Sequence, residues 1–253
     1  MSDVVPLGGL LESRAGFLLS YPSDDAERAR VVLGELEEMG ISALVLKGRH
    51  AINGVLILGK GHAGVVMAAL LGGEEVAVKL RRADADRASM EAEGEFLRVA
   101  NGASVGPRLL GVSREVLAME LVEGSYLVDW VGGLEPGDAG QLREVLLGLM
   151  EQARRLDVAG LDHGELSSAR RHVIVSGGVA RIVDFESASV SRRCSNVTSM
   201  AHYLFFSQWM AGGLGGVMPP PDRDSLVSAL SAYRRRPGEA SFRRVLAATG
   251  LME

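Results

Sequence analysis

The chain has one cysteine, Cys194, so no internal disulfide can staple it. A single thiol fits a reducing, cytoplasmic compartment. It also lacks a basic N-terminal region. Asp3 and Glu12 interrupt the apolar residues there, and no signal peptide is expected. The apolar run Tyr203 to Met218 includes Ser207 and Gln208, and it is too short to cross a bilayer, so no membrane association is expected. The Asn196-Val197-Thr198 glycosylation sequon is then incidental. No internal repeat is present.

What remains is a chain of 253 residues, 47% hydrophobic and 23% charged, as globular proteins are. It is long enough for one large domain or two small lobes with a proper core. The net charge of −5 argues against general nucleic-acid binding, but it is uneven. From Ser187 onward, eight Arg stand against two Asp and two Glu, giving +4, which leaves −9 for the rest. Such a basic end suits an acidic partner, RNA or a ribonucleoprotein. The plainer reading is arginine on solvated helix faces.

Ser23 reads as an N-cap, with Asp24 and Asp25 in the first turn of a helix running to Met39. Gly40 stops it, and Ile41 to Leu46 reads as a strand. Residues 1–53 are therefore expected to be an N-terminal helical cap packed on the next domain. Gly54 to Gly59 reads as a strand entering a glycine loop, Ala63 to Leu71 as the strand leaving it. Gly72-Gly73 is a turn, and Glu75 to Leu80 returns as a third strand. A helix is expected over Ala83 to Ala100 and a strand over Val116 to Val122. Leu142, Val145, Leu146, Leu149, Met150, Ala153 and Leu156 mark a strongly amphipathic helix within Gly140 to Leu156. Gly160 to Ala169 reads as a loop. His172 to Val175 and Ala180 to Val183 form a hairpin around Ser176-Gly177-Gly178. From Asn196, two or three helices are expected, separated by Gly212 to Pro221.

Phosphoryl transfer needs phosphates held, neutralised by metal and aligned with a nucleophile. Gly59, Gly61 and Gly64 allow backbone amides to approach phosphates without a Cβ in the way. Val66 would cover one face of an adenine. Lys79 comes 13 residues after Val66 on an apolar strand, where an unpaired lysine is costly. It would bind the α- and β-phosphates. Its carboxylate partner is Glu91, Glu93 or Glu95. Glu93 shares a helix face with Met90 and Leu97 and is the choice. Backbone groups at Glu120 and Val122 would meet an adenine edge. Beyond the amphipathic helix come Leu161 to Val175, carrying His163-Gly164-Glu165, and then Asp184-Phe185. Asp184 would hold the metal that bridges the phosphates.

In this order the chain resembles an archaeal atypical serine/threonine kinase of the RIO and lipopolysaccharide-kinase-like group. It is also similar in brevity to the small kinase of the KEOPS tRNA-modifying complex. The resemblance covers about Gly54 to Ser189. It implies a two-lobe, protein-kinase-like α+β fold with a β-rich N-lobe at 54–123 and a reduced helical C-lobe at 124–253. ATP and Mg²⁺ or Mn²⁺ are the implied cofactors and an unidentified protein the implied acceptor. Only 69 residues begin at Phe185, with no Ala-Pro-Glu element, so the usual activation segment and substrate platform are not expected.

Two departures carry weight. The family loop has Asp as catalytic base, where this chain has Glu165. The reference pKa values differ by only about 0.4 unit, but Glu reaches about 1.5 Å further. A misplacement of about 1 Å can cost on the order of 10²-fold in rate. The Asn expected five residues on is also missing, and Arg170 stands there. His172 is the better strand-aligned equivalent and the candidate second metal ligand, poor for Mg²⁺ and fair for Mn²⁺. His163 reads as a loop anchor, and Asp162 as a fallback base. The leading expectation is a serine/threonine protein kinase or autokinase. A nucleotide-binding pseudokinase or ATPase-like switch, or a small-molecule kinase, are the alternatives.

Overall fold

The computed structural model describes residues 3–252. The chain forms two compact units, both mixing helix and strand. One runs up to Arg98 and includes Pro107–Leu121. The other holds Val99–Gly106 and everything from Val122.

The first unit is built on an antiparallel sheet. Its strands are β1 (Asp3–Pro6), β2 (Ile41–Leu46), β6 (Gly64–Leu71), β7 (Glu74–Arg81), β9 (Val116–Glu120) and β8 (Leu109–Val112), adjacent in that order. The short β5 (Gly59–Lys60) also pairs with β6. β3 (His50–Ile52) and β4 (Val55–Ile57) form a separate hairpin. That hairpin replaces the expected unbroken strand from Gly54 to Gly59. Asn53 and Gly54 both take positive φ and turn the chain back on itself. The β6–β7 hairpin closes through Gly72 and Gly73, at φ 61° and 86°. Positive φ at both central residues is what a right-twisted two-residue hairpin needs, and glycine supplies it without strain.

The described part of the expected cap, residues 3–53, does more than cover this sheet, because β1 and β2 are strands of it. Between them lies α1 (Ala26–Glu38), whose Val32 and Leu36 enter a core with Leu44, Met67, Val78, Leu80 and Val116. Its N-cap is Asp25, not Ser23. The Asp25 carboxylate accepts from the amides of Glu27 and Arg28, while Ser23 exchanges bonds with Ser20. The next helix, α2 (Glu91–Gly102), starts eight residues later than the expected Ala83. Backbone groups of the intervening segment are spent elsewhere. The Ala83 amide donates to the Tyr21 carbonyl, the Met90 amide to the Arg114 carbonyl, and the Arg87 carbonyl accepts from Arg81 Nη1. β9 likewise ends at Glu120, two residues short of the expected Val122.

The second unit carries a three-stranded sheet, β10 (Ser125–Tyr126), β11 (Val173–Ser176) and β12 (Val179–Ile182). Its helices are α3 (Leu127–Val131), α4 (Ala139–Ala159), α5 (Asn196–Phe206), α6 (Gln208–Gly215), α7 (Arg223–Arg235) and α8 (Glu239–Ala248). The apolar stripe of α4 is fully buried, and the helix packs on α5, whose Val197, Met200 and Leu204 are buried too. Gly160, at φ 73°, ends α4 in the left-handed cap that glycine favours. Gln152 of α4 fastens β12, donating to the Ala180 carbonyl at 2.7 Å and accepting from the Ile182 amide at 3.2 Å. From Asn196 the described residues form four helices rather than two or three, because Gly212 to Gly215 continue α6 instead of breaking it. Among the described residues no helix is long and apolar enough to cross a membrane.

Candidate functional site

In the first unit, Lys79 lies on the interior strand β7 and is 2% exposed. Its Nζ donates to both Glu93 carboxylate oxygens, at 2.8 and 3.1 Å. Glu93 comes from the first turn of α2 and is equally buried, while Glu91 and Glu95 are exposed. The helical face that Glu93 shares with Met90 and Leu97 is what aims it inward, since both of those residues are also buried. A third charge joins the pair. Arg87 Nη1 donates to Glu93 Oε2 at 3.0 Å. A buried ion pair tolerates its desolvation only when further hydrogen bonds satisfy it, and Arg87 supplies one.

The glycine loop divides its labour differently from the expectation of three phosphate-facing glycines. A Cβ on Gly64 would meet Lys79 Cγ at 2.7 Å and Cε at 2.9 Å. Gly64 therefore makes room for the lysine stem. The Gly61 amide donates to the Gly64 carbonyl at 2.9 Å and closes the loop tip, so it is spent internally rather than turned to a phosphate. Gly59 pairs with Val66 across β5 and β6, and nothing lies within 4 Å of a Cβ placed on it. The Glu120 amide donates to the Arg108 carbonyl at 2.8 Å, which removes it as an adenine donor. Val122 comes next in a stretch without regular structure, and its amide has no backbone acceptor among the described residues.

In the second unit, His163-Gly164-Glu165 leads into a 3-10 turn over Leu166–Arg171. Gly164 has φ 91°, and a Cβ there would lie 2.5 Å from the Ser187 carbonyl oxygen, so only glycine fits. The turn brings His172 back against Glu165. His172 Nε2 donates to Glu165 Oε2 at 3.0 Å and lies 3.9 Å from Asp184 Oδ2. One ring nitrogen of His172, the candidate second metal ligand, is thus engaged by the carboxylate expected to act as base, and the other is buried. Asp184 sits at φ 67°, a left-handed conformation that costs about 1–2 kcal/mol in a residue with a side chain. The adjacent Phe185 is buried, its ring 5.0 Å from that of His163.

His163 anchors this loop. It is fully buried, and its Nε2 donates to the Val183 carbonyl at 3.2 Å. Burial, reinforced by neighbouring His172, pushes its pKa down to about 4, so it stays neutral. Asp162, the fallback base expected from the sequence, is engaged in hydrogen bonds. Its carboxylate accepts from the Ser195 amide and hydroxyl and from Arg192. Two residues to which the sequence alone gives no role, Asn196 and Asp157, hold the loop from α5 and α4. The Asn196 carboxamide accepts from the His163 amide at 2.9 Å and donates to the Leu161 carbonyl and to Asp157, each at 2.8 Å. Asp157 also accepts from the Tyr233 hydroxyl at 2.8 Å, and burial together with this carboxylate raises the tyrosine pKa. The sequon at Asn196, incidental on the sequence alone, is the one sequence signal at this position, and Asn196 is 1% exposed.

The basic C-terminal end is partly committed to internal contacts. Arg192 pairs with Asp162, Arg193 donates to the Arg234 carbonyl, Arg223 lies over Phe206 and Arg243 pairs with Glu239. Among the described residues no group of three or more His, Cys, Asp or Glu side chains is arranged to hold a metal. Neither protein-family models nor curated protein sequences match this chain.

Proposed function

We propose that the chain is an ATP-dependent phosphotransferase of the two-lobe, protein-kinase-like type, passing the γ-phosphate to a serine or threonine of a protein. The observation that carries this reading is the buried Lys79–Glu93 pair. Replacing such a pair by apolar residues is often neutral or stabilising, so a fold that keeps it does so for chemistry or specificity. Lys79 takes the α- and β-phosphates, and Glu93 holds its ammonium in place. Glu165 is the carboxylate that orients the acceptor hydroxyl and receives its proton, and His172 fixes the rotamer of that carboxylate. This bond answers the extra reach of Glu over Asp, because it restrains the longer side chain.

Mg²⁺ usually binds through one or two carboxylates plus substrate phosphates rather than a protein cage. A partly exposed Asp184 carboxylate fits that manner of binding. Asp184 would hold the ion, and His172, whose Nε2 is given to Glu165, stays out of its coordination. The ion supplies neutralisation of phosphate charge when bound. A second reading is a nucleotide-binding switch that does not transfer phosphate. The His172 bond to Glu165 favours it, because it occupies the carboxylate that transfer would need as base.

The test is label transfer from γ-labelled ATP with Mg²⁺ or Mn²⁺, with and without a generic protein acceptor, beside Lys79→Ala and Asp184→Ala. Transfer lost in both variants supports the kinase. Nucleotide binding without transfer supports the switch, and no binding removes both.

A further inference from the structure

We infer that Arg87 is a positioning residue that keeps Glu93 charge-compensated while Lys79 engages a nucleotide's phosphates. The inference rests on the nucleotide reading of Lys79. Glu93 Oε2 is shared, at 3.1 Å from Lys79 Nζ and 3.0 Å from Arg87 Nη1. Lys79 and Glu93 side chains are each 3% exposed, while Arg87 is 25% exposed. A lysine that turns toward phosphate loosens its hold on a buried carboxylate, and a buried carboxylate without its counter-charge is strongly disfavoured. Arg87 stays on Glu93 through that exchange and lowers the cost of releasing Lys79. Its guanidinium is permanently charged, so the compensation holds at any working pH.

Arg87 is also held where this role needs it. Its carbonyl accepts from Arg81 Nη1 at 2.9 Å. Arg81 grips Glu115 through two nitrogens, at 3.0 and 2.9 Å. Arg28 of α1 bonds the same Glu115 and the Arg81 carbonyl, and Glu35 of α1 accepts from the Glu115 amide at 2.7 Å. A relay of charges therefore runs from α1 through Glu115 and Arg81 to the segment carrying Arg87. The Arg81 bond to this segment is among those that keep residues 83–90 out of helix.

The experiment uses the full chain and isothermal titration with MgATP and with adenosine, on the wild type, Arg87→Ala and Arg87→Lys. The expected result is an ATP affinity lowered on the order of tenfold in Arg87→Ala, with adenosine affinity unchanged and ATP affinity largely restored in Arg87→Lys. A ratio of ATP to adenosine affinity that Arg87→Ala leaves unmoved, or a loss shared equally by both ligands, overturns the role of Arg87 alone. A wild type that binds neither ligand overturns the nucleotide reading beneath it. Thermal melts report folding, and Arg87→Gln carries the same comparison where Arg87→Ala does not fold.

Discussion

The Lys79 and Glu93 side chains are closed from water at 3% exposure each, whereas the Glu165 and Asp184 side chains keep 38% and 36% of their surface. The first group is knitted into a sheet and a helix by three charges. The second sits on a loop, with one carboxylate held by a histidine and the other on a left-handed backbone. Under the proposed function these differences reflect the work of each. A phosphate-holding cation gains from being pre-set, because its geometry is then ready before the ligand arrives. An acceptor-facing carboxylate must stay open to a second substrate. The first group should consequently matter to stability as much as to binding, and the second to transfer far more than to stability.

The largest effect should come from breaking the closed group. Glu93→Ala removes the buried carboxylate that Lys79 and Arg87 share, and the loss expected is about 3–5 kcal/mol in urea unfolding. A loss under about 1 kcal/mol would mean that the pair is not dry in solution and would erase the contrast between the two groups. The next concerns the histidine under the open group. His163 stays neutral in the fold down to about pH 4, while in the unfolded chain it takes up a proton near its ordinary value of 6.5. Between those values the unfolded state binds more protons, so stability falls as pH falls. The expected loss between pH 7 and pH 4 is about 3 kcal/mol from this residue. Urea midpoints across that range should drop more steeply for the wild type than for His163→Gln, and parallel curves would refute the assignment.

The smallest effect should be at the open group itself. In Asp184→Gly the strain of φ 67° is relieved while the carboxylate contacts are lost, so stability should stay within about 1 kcal/mol of wild type. Label transfer should nonetheless vanish. A variant that unfolds readily would show that Asp184 is a structural residue.

The parts of this picture legible in the sequence are those set by local rules. The Gly72-Gly73 hairpin, the buried stripe of α4 and the inward aim of Glu93 all come from period and turn chemistry. What was not legible depends on partners far along the chain. The start of α2 is delayed by Tyr21, Arg81 and Arg114, none of them in the helix. β1 belongs to the sheet only because β2 returns beside it. Gly64 reads as a phosphate glycine until the stem of Lys79, across the β6–β7 pair, is seen to occupy the space its Cβ would need. The meeting of Glu165 and His172 depends on a kink in the 3-10 turn between them, at Ser168 and Ala169, which no propensity signals. The α+β class itself rests on the strand and helix signals that were readable.

Asn196 carries a practical consequence. Its side-chain nitrogen, the atom a glycan would occupy, is bonded to Asp157 and to the Leu161 carbonyl inside the protein. A chain produced through a glycosylating secretory route would meet the sugar-transferring machinery before that nitrogen is buried. A sugar added then could not be accommodated afterwards, and the loop bearing His163 and Glu165 would lose its clamp. Production hosts without N-glycosylation avoid this, and a glycosylated preparation that is inactive would report on its manufacture rather than on the protein's chemistry.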